Sequence, residues 1–436
     1  MPGFERRVVI TGLGLVTPLG DSPDRVWTSI AQGHGAVRPL EAFKVAGLPN
    51  DVGAEVADFD LKKLSLPRFW SSLRKSKKYL ARDIQLAVAA AQLGVADANL
   101  VDGGVDPTRI GIDLGAGLIS SELDELAPAI THAYRSGTFD FEAWGRESIG
   151  MVEPIWLLKY LPNMLACHIS IMIDCQGPSN TITEGDASSI VAMTEAARII
   201  ARGRADVMIS GGADSKIHPL SLLRMAMFQN MSGWKKDAAG ACRPFDSERE
   251  GWVPGEGAGI LILEERSHAA GRGARIYGEI LGGGSACDAR PGGGLDPDGC
   301  GVETAIRAAL AEAGLTPADI GHVNAHGAAT RVGDMAEARA IARVFGPRGV
   351  PVTALKGYMG NLAAGSGGVE LAASLVAVNR GRIPPVLNCD HPDPACELDL
   401  VLGTPRATAN PTFVTLNFTP LGQAAALVVR GRPSDA

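Results

Sequence analysis

The strongest constraint in this sequence is a helix, strand and turn pattern that occurs twice. Lys78 to Leu93 carries a helical apolar rhythm through Leu80, Ile84, Ala87, Val88 and Ala91, with Gly94 as a stop, and 109–117 (RIGIDLGAG) reads as a strand entering a tight turn. Much later Val302 to Ala313 repeats the rhythm, Gly314 the stop, and 320–327 (IGHVNAHG) the strand and turn. A second pair matches a helix from Ala187 to Gly203, followed by strand Val207 to Ser210, with a helix from Gly367 to Gly381 followed by a strand near the carboxyl end. Both helices open after loops with unusual polar residues, Glu184-Gly185-Asp186 in one and Asn361 with Gly365-Ser366 in the other. Such repetition predicts layered α/β packing, with helices covering largely parallel sheets. Strand Ile260 to Glu265 gives way to a Gly-rich stretch at 267–273, which puts one half at residues 1–270 and the other at 271–436. Segments 119–163 and 214–256 lack simple alternation and are expected to form caps, active-site loops or an oligomer interface.

Size and charge narrow the functions. A chain of 436 residues with 46% hydrophobic residues exceeds a lone binding module and is built to form a core. With 41 basic and 48 acidic groups the net charge is 41 − 48 = −7, which predicts no bulk attraction to nucleic acid or to an anionic membrane. No apolar run is long enough to span a bilayer and Glu5 breaks any signal-peptide pattern, so a cytoplasmic protein is expected. Several motifs carry little. Gly12-Leu13-Gly14 lacks the third glycine of a dinucleotide fingerprint. The triple glycines at 282–284 and 292–294 lack a following Lys-Ser or Lys-Thr pair and are expected to let backbone segments pass closely. Cys167 with Cys175, and Cys389 with Cys396 around His391, lack a compact four-ligand set, so neither a metal nor a cofactor is expected. Glu264-Glu265 reads as a strand end, not a glycosidase pair.

Longer segments act together. The segments 8–14 (VVITGLG), 177–179 (GPS), 196–200 (AARII), 205–208 (ADVM), 244–246 (PFD), 255–259 (GEGAG) and 324–327 (NAHG) preserve one chain order. In that order the sequence resembles the condensing enzymes of the thiolase superfamily, specifically the β-ketoacyl acyl-carrier-protein synthase II type and its polyketide relatives. The resemblance implies a thiolase-like five-layer α/β/α/β/α fold from two duplicated halves, usually dimeric. It also implies an acyl-holding cysteine at a helix amino terminus, supported by two histidines and a lysine.

Counting from the flanking motifs puts the nucleophile position at Asp186, and no cysteine occurs between Cys175 and Cys242. His326 matches the first histidine, Lys356 the lysine, and the second histidine position is Asn361. The glycine-rich turn with phenylalanines is replaced by 417–423 (NFTPLGQ), in which Pro420 and Leu421 alter the apolar gate. A thiolate at a helix amino terminus is a strong nucleophile, whereas a carboxylate there is favoured as an anion and is much less nucleophilic. Asn361 donates hydrogen bonds but cannot exchange a proton near neutral pH. If Glu184 also faces inward, two acids oppose one another and one stays protonated. His326 either orients a thioester oxygen or braces its loop, and Lys356 is expected to pair with Glu337 beneath the pocket.

Ordinary β-ketoacyl synthase activity is therefore not expected from this chain alone. The leading expectation is a catalytically degenerate subunit, similar to a chain-length factor, working with an active ketosynthase paralogue, an acyl carrier protein and an acyl thioester in fatty-acid or polyketide-type assembly. Asp186 departs from the glutamine common at that position in such subunits. The alternative is an enzyme that hydrolyses, decarboxylates or non-covalently condenses an acyl thioester, with Asp186 in place of the thiol. A basic run of Arg68, Arg74, Lys75, Lys77, Lys78 and Arg82, opposed by Asp83, is read either as a carrier-docking patch or as a solvated helix face.

Overall fold

The computed structural model describes residues 6–44, 47–61, 79–100, 104–228 and 230–432. Eleven strands form one hydrogen-bonded series: β1 Val8–Val16, β2 Ile110–Ala116, β3 Ser179–Ile182, β4 Val207–Ser215, β5 Glu256–Glu265, β6 Gly278–Cys287, β7 His322–Ala325, β8 Pro351–Ala354, β9 Asp399–Leu400, β10 Thr412–Phe418 and β11 Gln423–Gly431. Their order is β9-β8-β7-β10-β11-β6-β1-β5-β4-β2-β3. Read outward from the β1–β6 junction, both sides follow one scheme of first, last, last but one, second and third strand, and the second set adds the short β9 at its outer edge. Pairing matches too. The last strand of each set runs antiparallel to the first and to the last but one, and the second is parallel to the last but one and to the third. The sheets are thus mixed rather than largely parallel as the sequence suggested, because the last strand of each set runs antiparallel to both of its neighbours, after a short reversal in the second set and after the long segment 216–255 in the first. Among the described residues, the two sets pair as strands only through Val8–Ile10 and Gly278–Ile280.

Six helices complete five layers. They are α1 Arg82–Asp97, α2 Met164–Ile173, α3 Ser188–Ala201, α4 Cys300–Ala313, α5 Arg331–Phe345 and α6 Ser366–Val378. Helix α1 covers β1, β5 and β4, with α2 beside it, and α4 covers β6 and β11 while packing on α5. Between the strand sets lie α3 and α6, each touching strands of both. All 13 residues of α6 are buried, so it has no polar face.

Close packing of helix on strand explains glycines that the sequence left ambiguous. A Cβ on Gly14 of β1 would stand 1.8 Å from the Ala90 carbonyl of α1, and one on Gly284 of β6 would stand 2.3 Å from the Ala305 carbonyl of α4. The same device serves both halves. Gly94 is not a helix stop: α1 runs on to Asp97, and Gly94 packs on the Gly14 backbone. Gly314 does end α4, in a left-handed conformation at φ 67°. The 292–294 glycines differ from expectation, since they take left-handed φ values with open space around them.

A fully buried carboxyl sits in this framework. Neither oxygen of Asp113 on β2 has a well-aligned hydrogen-bond partner among the described residues, although the Asn180 side chain is near enough to act on it. Burial and then the Glu195 charge push its carboxyl up to about 7, with Asn180 on β3 pulling the other way. The folded state therefore keeps a proton that the unfolded chain releases near pH 4, so this group makes stability fall as pH rises from about 4 to 7. Asp113→Asn is expected to gain stability relative to the parent by up to about 1.4 kcal/mol per pH unit across that window. Urea unfolding at pH 5 and pH 7 checks this, and a pH-independent difference contradicts it.

Candidate functional site

The site forms where the amino termini of the two central helices meet. Each is built alike. A short 3₁₀ turn, Gly185–Ala187 before α3 and Ala363–Gly365 before α6, opens on a residue of positive φ, Gly185 at 53° and Ala363 at 46°. Each helix then begins with a serine whose hydroxyl accepts the amide four residues back, Glu184 N to Ser188 Oγ at 2.7 Å and Leu362 N to Ser366 Oγ at 3.1 Å. The left-handed conformation strains Ala363 as it would not a glycine. The Asn361 side-chain oxygen holds that turn by accepting the Ala363 amide at 2.9 Å and the Ser366 hydroxyl at 3.1 Å.

With its oxygen committed, Asn361 turns its amide nitrogen to Asp186 Oδ2 at 2.9 Å. His326, in the turn after β7, places Nε2 3.6 Å from the same oxygen. Its Nδ1 meets two donors, Lys356 Nζ and Asn417 Nδ2, each at 3.1 Å. Nδ1 therefore accepts, and the ring proton sits on Nε2 facing Asp186. Phe418 packs on the ring with centroids 4.5 Å apart. All four positions expected from the sequence, Asp186, His326, Lys356 and Asn361, thus lie within one connected cluster.

One expected pairing is corrected. Lys356 does not reach Glu337; its ammonium donates to Glu370 Oε1 on α6 at 2.7 Å and to the His326 carbonyl at 2.9 Å. Glu337 is taken up by the His326 and Gly327 amides, at 2.6 and 2.9 Å. Both groups brace the histidine loop, from different sides. Glu184 is exposed, and the acid acting on Asp186 is Asp214 on β4. Sequence reasoning missed Asp214, Lys216, Glu370 and Asn417. All four fell inside segments already singled out, Asp214 and Lys216 in 214–256, Glu370 in the helix from Gly367 and Asn417 in 417–423, but none of them was read as a site residue.

Burial raises the Asp186 carboxyl above its ordinary range, with the Asn361 hydrogen bond, Lys356 and Lys216 opposing the rise and Asp214 adding to it. Burial and then the Lys356 charge hold His326 well below the usual imidazole range, so the ring is neutral. Asp186, Asn361, Phe228, Trp252 and Pro420 line two adjoining cavities. One, of about 240 Å³, adds His326 and Phe418; the other, of about 650 Å³, adds Glu184, Lys216 and Arg224. No cysteine lines either one. Among the described residues, no group of three or more His, Cys, Asp or Glu could hold a metal ion.

Of the basic run, Arg68, Arg74, Lys75, Lys77 and Lys78 lie outside the described residues. Arg82 is drawn inward, donating to both oxygens of Glu256 at 3.0 and 2.6 Å and to the Val56 carbonyl at 2.9 Å, with its guanidinium over the Phe59 ring. Asp83, at the same end of α1, is buried and accepts the Ser215 amide. Arg82 is thereby spent on joining α1 to β5.

The imidazole environment is directly testable. The His326 ring signals should not titrate between pH 5 and 8, and Lys356→Met should move the transition upward, because it removes the positive charge that disfavours imidazolium. Proton NMR of the imidazole Cε1–H checks both, and a wild-type transition near 6.5 contradicts the account.

Comparison with known proteins agrees with this geometry. Residues 5–269 match the family described as Beta-ketoacyl synthase, N-terminal domain, and residues 277–390 match Beta-ketoacyl synthase, C-terminal domain. The chain is 35% identical over 405 residues to 3-oxoacyl-[acyl-carrier-protein] synthase 2 of Synechocystis, covering 92% of each chain. Its fold matches the ishigamide ketosynthase/chain length factor with a TM-score of 0.84 at 27% identity, over 98% of this chain and 99% of that one. It also matches the AntDE:AntF complex of a type II PKS acyl-carrier protein with its ketosynthase bound to the hexaketide, at a TM-score of 0.83 and 27% identity over 99% and 100% of the chains. Among the described residues no helix is long and apolar enough to cross a membrane. A duplicated α/β architecture, two helix amino termini meeting at one pocket, and sequence likeness across almost the entire length lead to one conclusion: the chain belongs to the beta-ketoacyl synthase family.

Proposed function

We propose that this chain is a non-condensing, ketosynthase-like subunit that works with an active ketosynthase paralogue and an acyl carrier protein in fatty-acid or polyketide-type chain assembly in the cytoplasm. The observation that carries the reading is the hydrogen bond of Asn361 Nδ2 to Asp186 Oδ2, at 2.9 Å, where the family resemblance expects a thiol beside a second histidine. A carboxylate attacking a thioester would form a mixed anhydride, a poor acyl store. Neutral His326 offers Nε2–H but has only an amide as its companion across the pocket, and no imidazole stands at position 361 to share proton transfer. The chain is similar to a solved ketosynthase/chain length factor and to a ketosynthase in complex with its acyl-carrier protein, which supports the partner and the carrier.

The shape of the larger cavity favours a second subunit. Its rim carries large apolar side chains left in water, Leu118 at 58%, Phe228 at 76% and Leu421 at 65% relative exposure. Apolar rims of this kind are covered in assemblies. A second reading, an enzyme that uses Asp186 on a non-covalently bound thioester, is favoured by one observation: burial raises the Asp186 carboxyl, which suits proton exchange with a substrate.

Mixing this chain with its natural ketosynthase paralogue should produce a mixed dimer in native mass spectrometry, and Phe228→Asp together with Leu421→Asp should weaken it at least tenfold. Exclusive self-association in the partner's presence contradicts the proposal.

A further inference from the structure

The two cavities that share Asp186 differ in character. Val332, Leu295 and Phe418 line the smaller one, whereas the larger one has two cations on its wall, Lys216 and Arg224. Both come from the segment that follows β4, Lys216 directly after the strand and Arg224 on the helix Pro219–Phe228. A cavity meant for a plain alkyl chain gains nothing from these charges, because apolar burial against ammonium and guanidinium groups forfeits their hydration.

The placement of Lys216 is built into the fold. Its Nζ lies 2.7 Å from Asp214 Oδ1, and Asp214 is wholly buried on β4. The pair occupies the space over Gly117, where a Cβ would stand 1.9 Å from Asp214 Oδ2 and 3.0 Å from Lys216 Nζ. Only glycine at 117 admits it. The ammonium keeps further N–H donors after meeting Asp214. Arg224 makes no ion pair or side-chain hydrogen bond among the described residues, so its planar donor fork is free. The acids on the same cavity, Glu184 and Asp186, both belong to the turn after β3. They repel a carboxylate from their own side and leave the Lys216 and Arg224 side to receive it.

We infer that the larger cavity receives a carboxylate borne on an acyl chain, so that it selects a dicarboxylic acid monothioester over an unsubstituted acyl group of equal length. The inference deepens the proposed function and rests on its acyl-thioester part, but not on the partner subunit. With the thioester end beside Asp186, Asn361 and His326, the distal carboxylate meets Arg224 and the Lys216–Asp214 pair.

The test uses two hydrolysis-stable pantetheine amides, glutaryl and pentanoyl, titrated calorimetrically into the full chain at pH 7.5 and low salt. The glutaryl conjugate should bind about tenfold more tightly, as expected for a charge-assisted contact in a recessed site. Arg224→Leu breaks no ion pair among the described residues and should remove most of the glutaryl-over-pentanoyl ratio. Lys216→Met and Gly117→Ala should reduce it in the same direction, with circular dichroism verifying the fold of each. Equal affinity of the two conjugates, or an advantage that survives Arg224→Leu, overturns the inference alone. Binding of neither conjugate overturns it together with the acyl-thioester reading.

Discussion

The meeting of two buried helix amino termini is the constraint on which the rest of the structure depends. Helices α3 and α6 lie between the two strand sets, and their first residues, Ser188 and Ser366, are buried. Each leaves unsatisfied amides at that end. Ser188 and Ser366 instead tie down the chain that leads in, accepting the Glu184 and Leu362 amides, and Asn361 accepts the Ala363 amide of the turn while joining α6 to Asp186 in front of α3. One side chain thus performs a structural and a chemical task together. An imidazole at position 361 has no carbonyl oxygen with which to accept the Ala363 amide and the Ser366 hydroxyl, so the local turn and the pocket chemistry are coupled.

Much of this was legible in the sequence because duplication leaves periodic traces. The paired helices, the paired strands and the polar loops ahead of α3 and α6 all stand where the apolar rhythm and the glycines put them, with helix ends shifted by a few residues. The four family positions were found by counting from motifs, since motif spacing is fixed by strand and turn lengths. What stayed hidden depended on distance in the chain. Strand direction was misread because a long strand such as Ile260 to Glu265 looks the same whether its neighbours run parallel or antiparallel. The partner of Lys356 was misassigned because Glu337 and Glu370 are both buried acids of the second half, and only the fold shows that backbone amides already occupy Glu337. Gly94 was read as a stop because a packing glycine inside a helix has the same local signature as a terminal one.

Electrostatics gives the pocket a settled charge pattern. His326 is held neutral by burial and by Lys356, while Asn417 and Lys356 fix its tautomer so that Nε2–H faces Asp186. Beyond this cluster the smaller cavity is lined mainly by apolar residues with Asn230 and Thr330 among them, and the larger one carries cations that the family motifs do not announce. Under the proposed function, a pocket with Asp186 where the family resemblance implies an acyl-holding thiol is suited to orienting a chain rather than storing it.

Intact-mass measurement after incubation with an acyl-carrier thioester tests that claim most directly. The account predicts no mass gain for the native chain and a covalent acyl adduct only for Asp186→Cys. A stoichiometric acyl adduct on Asp186 of the native chain would contradict it.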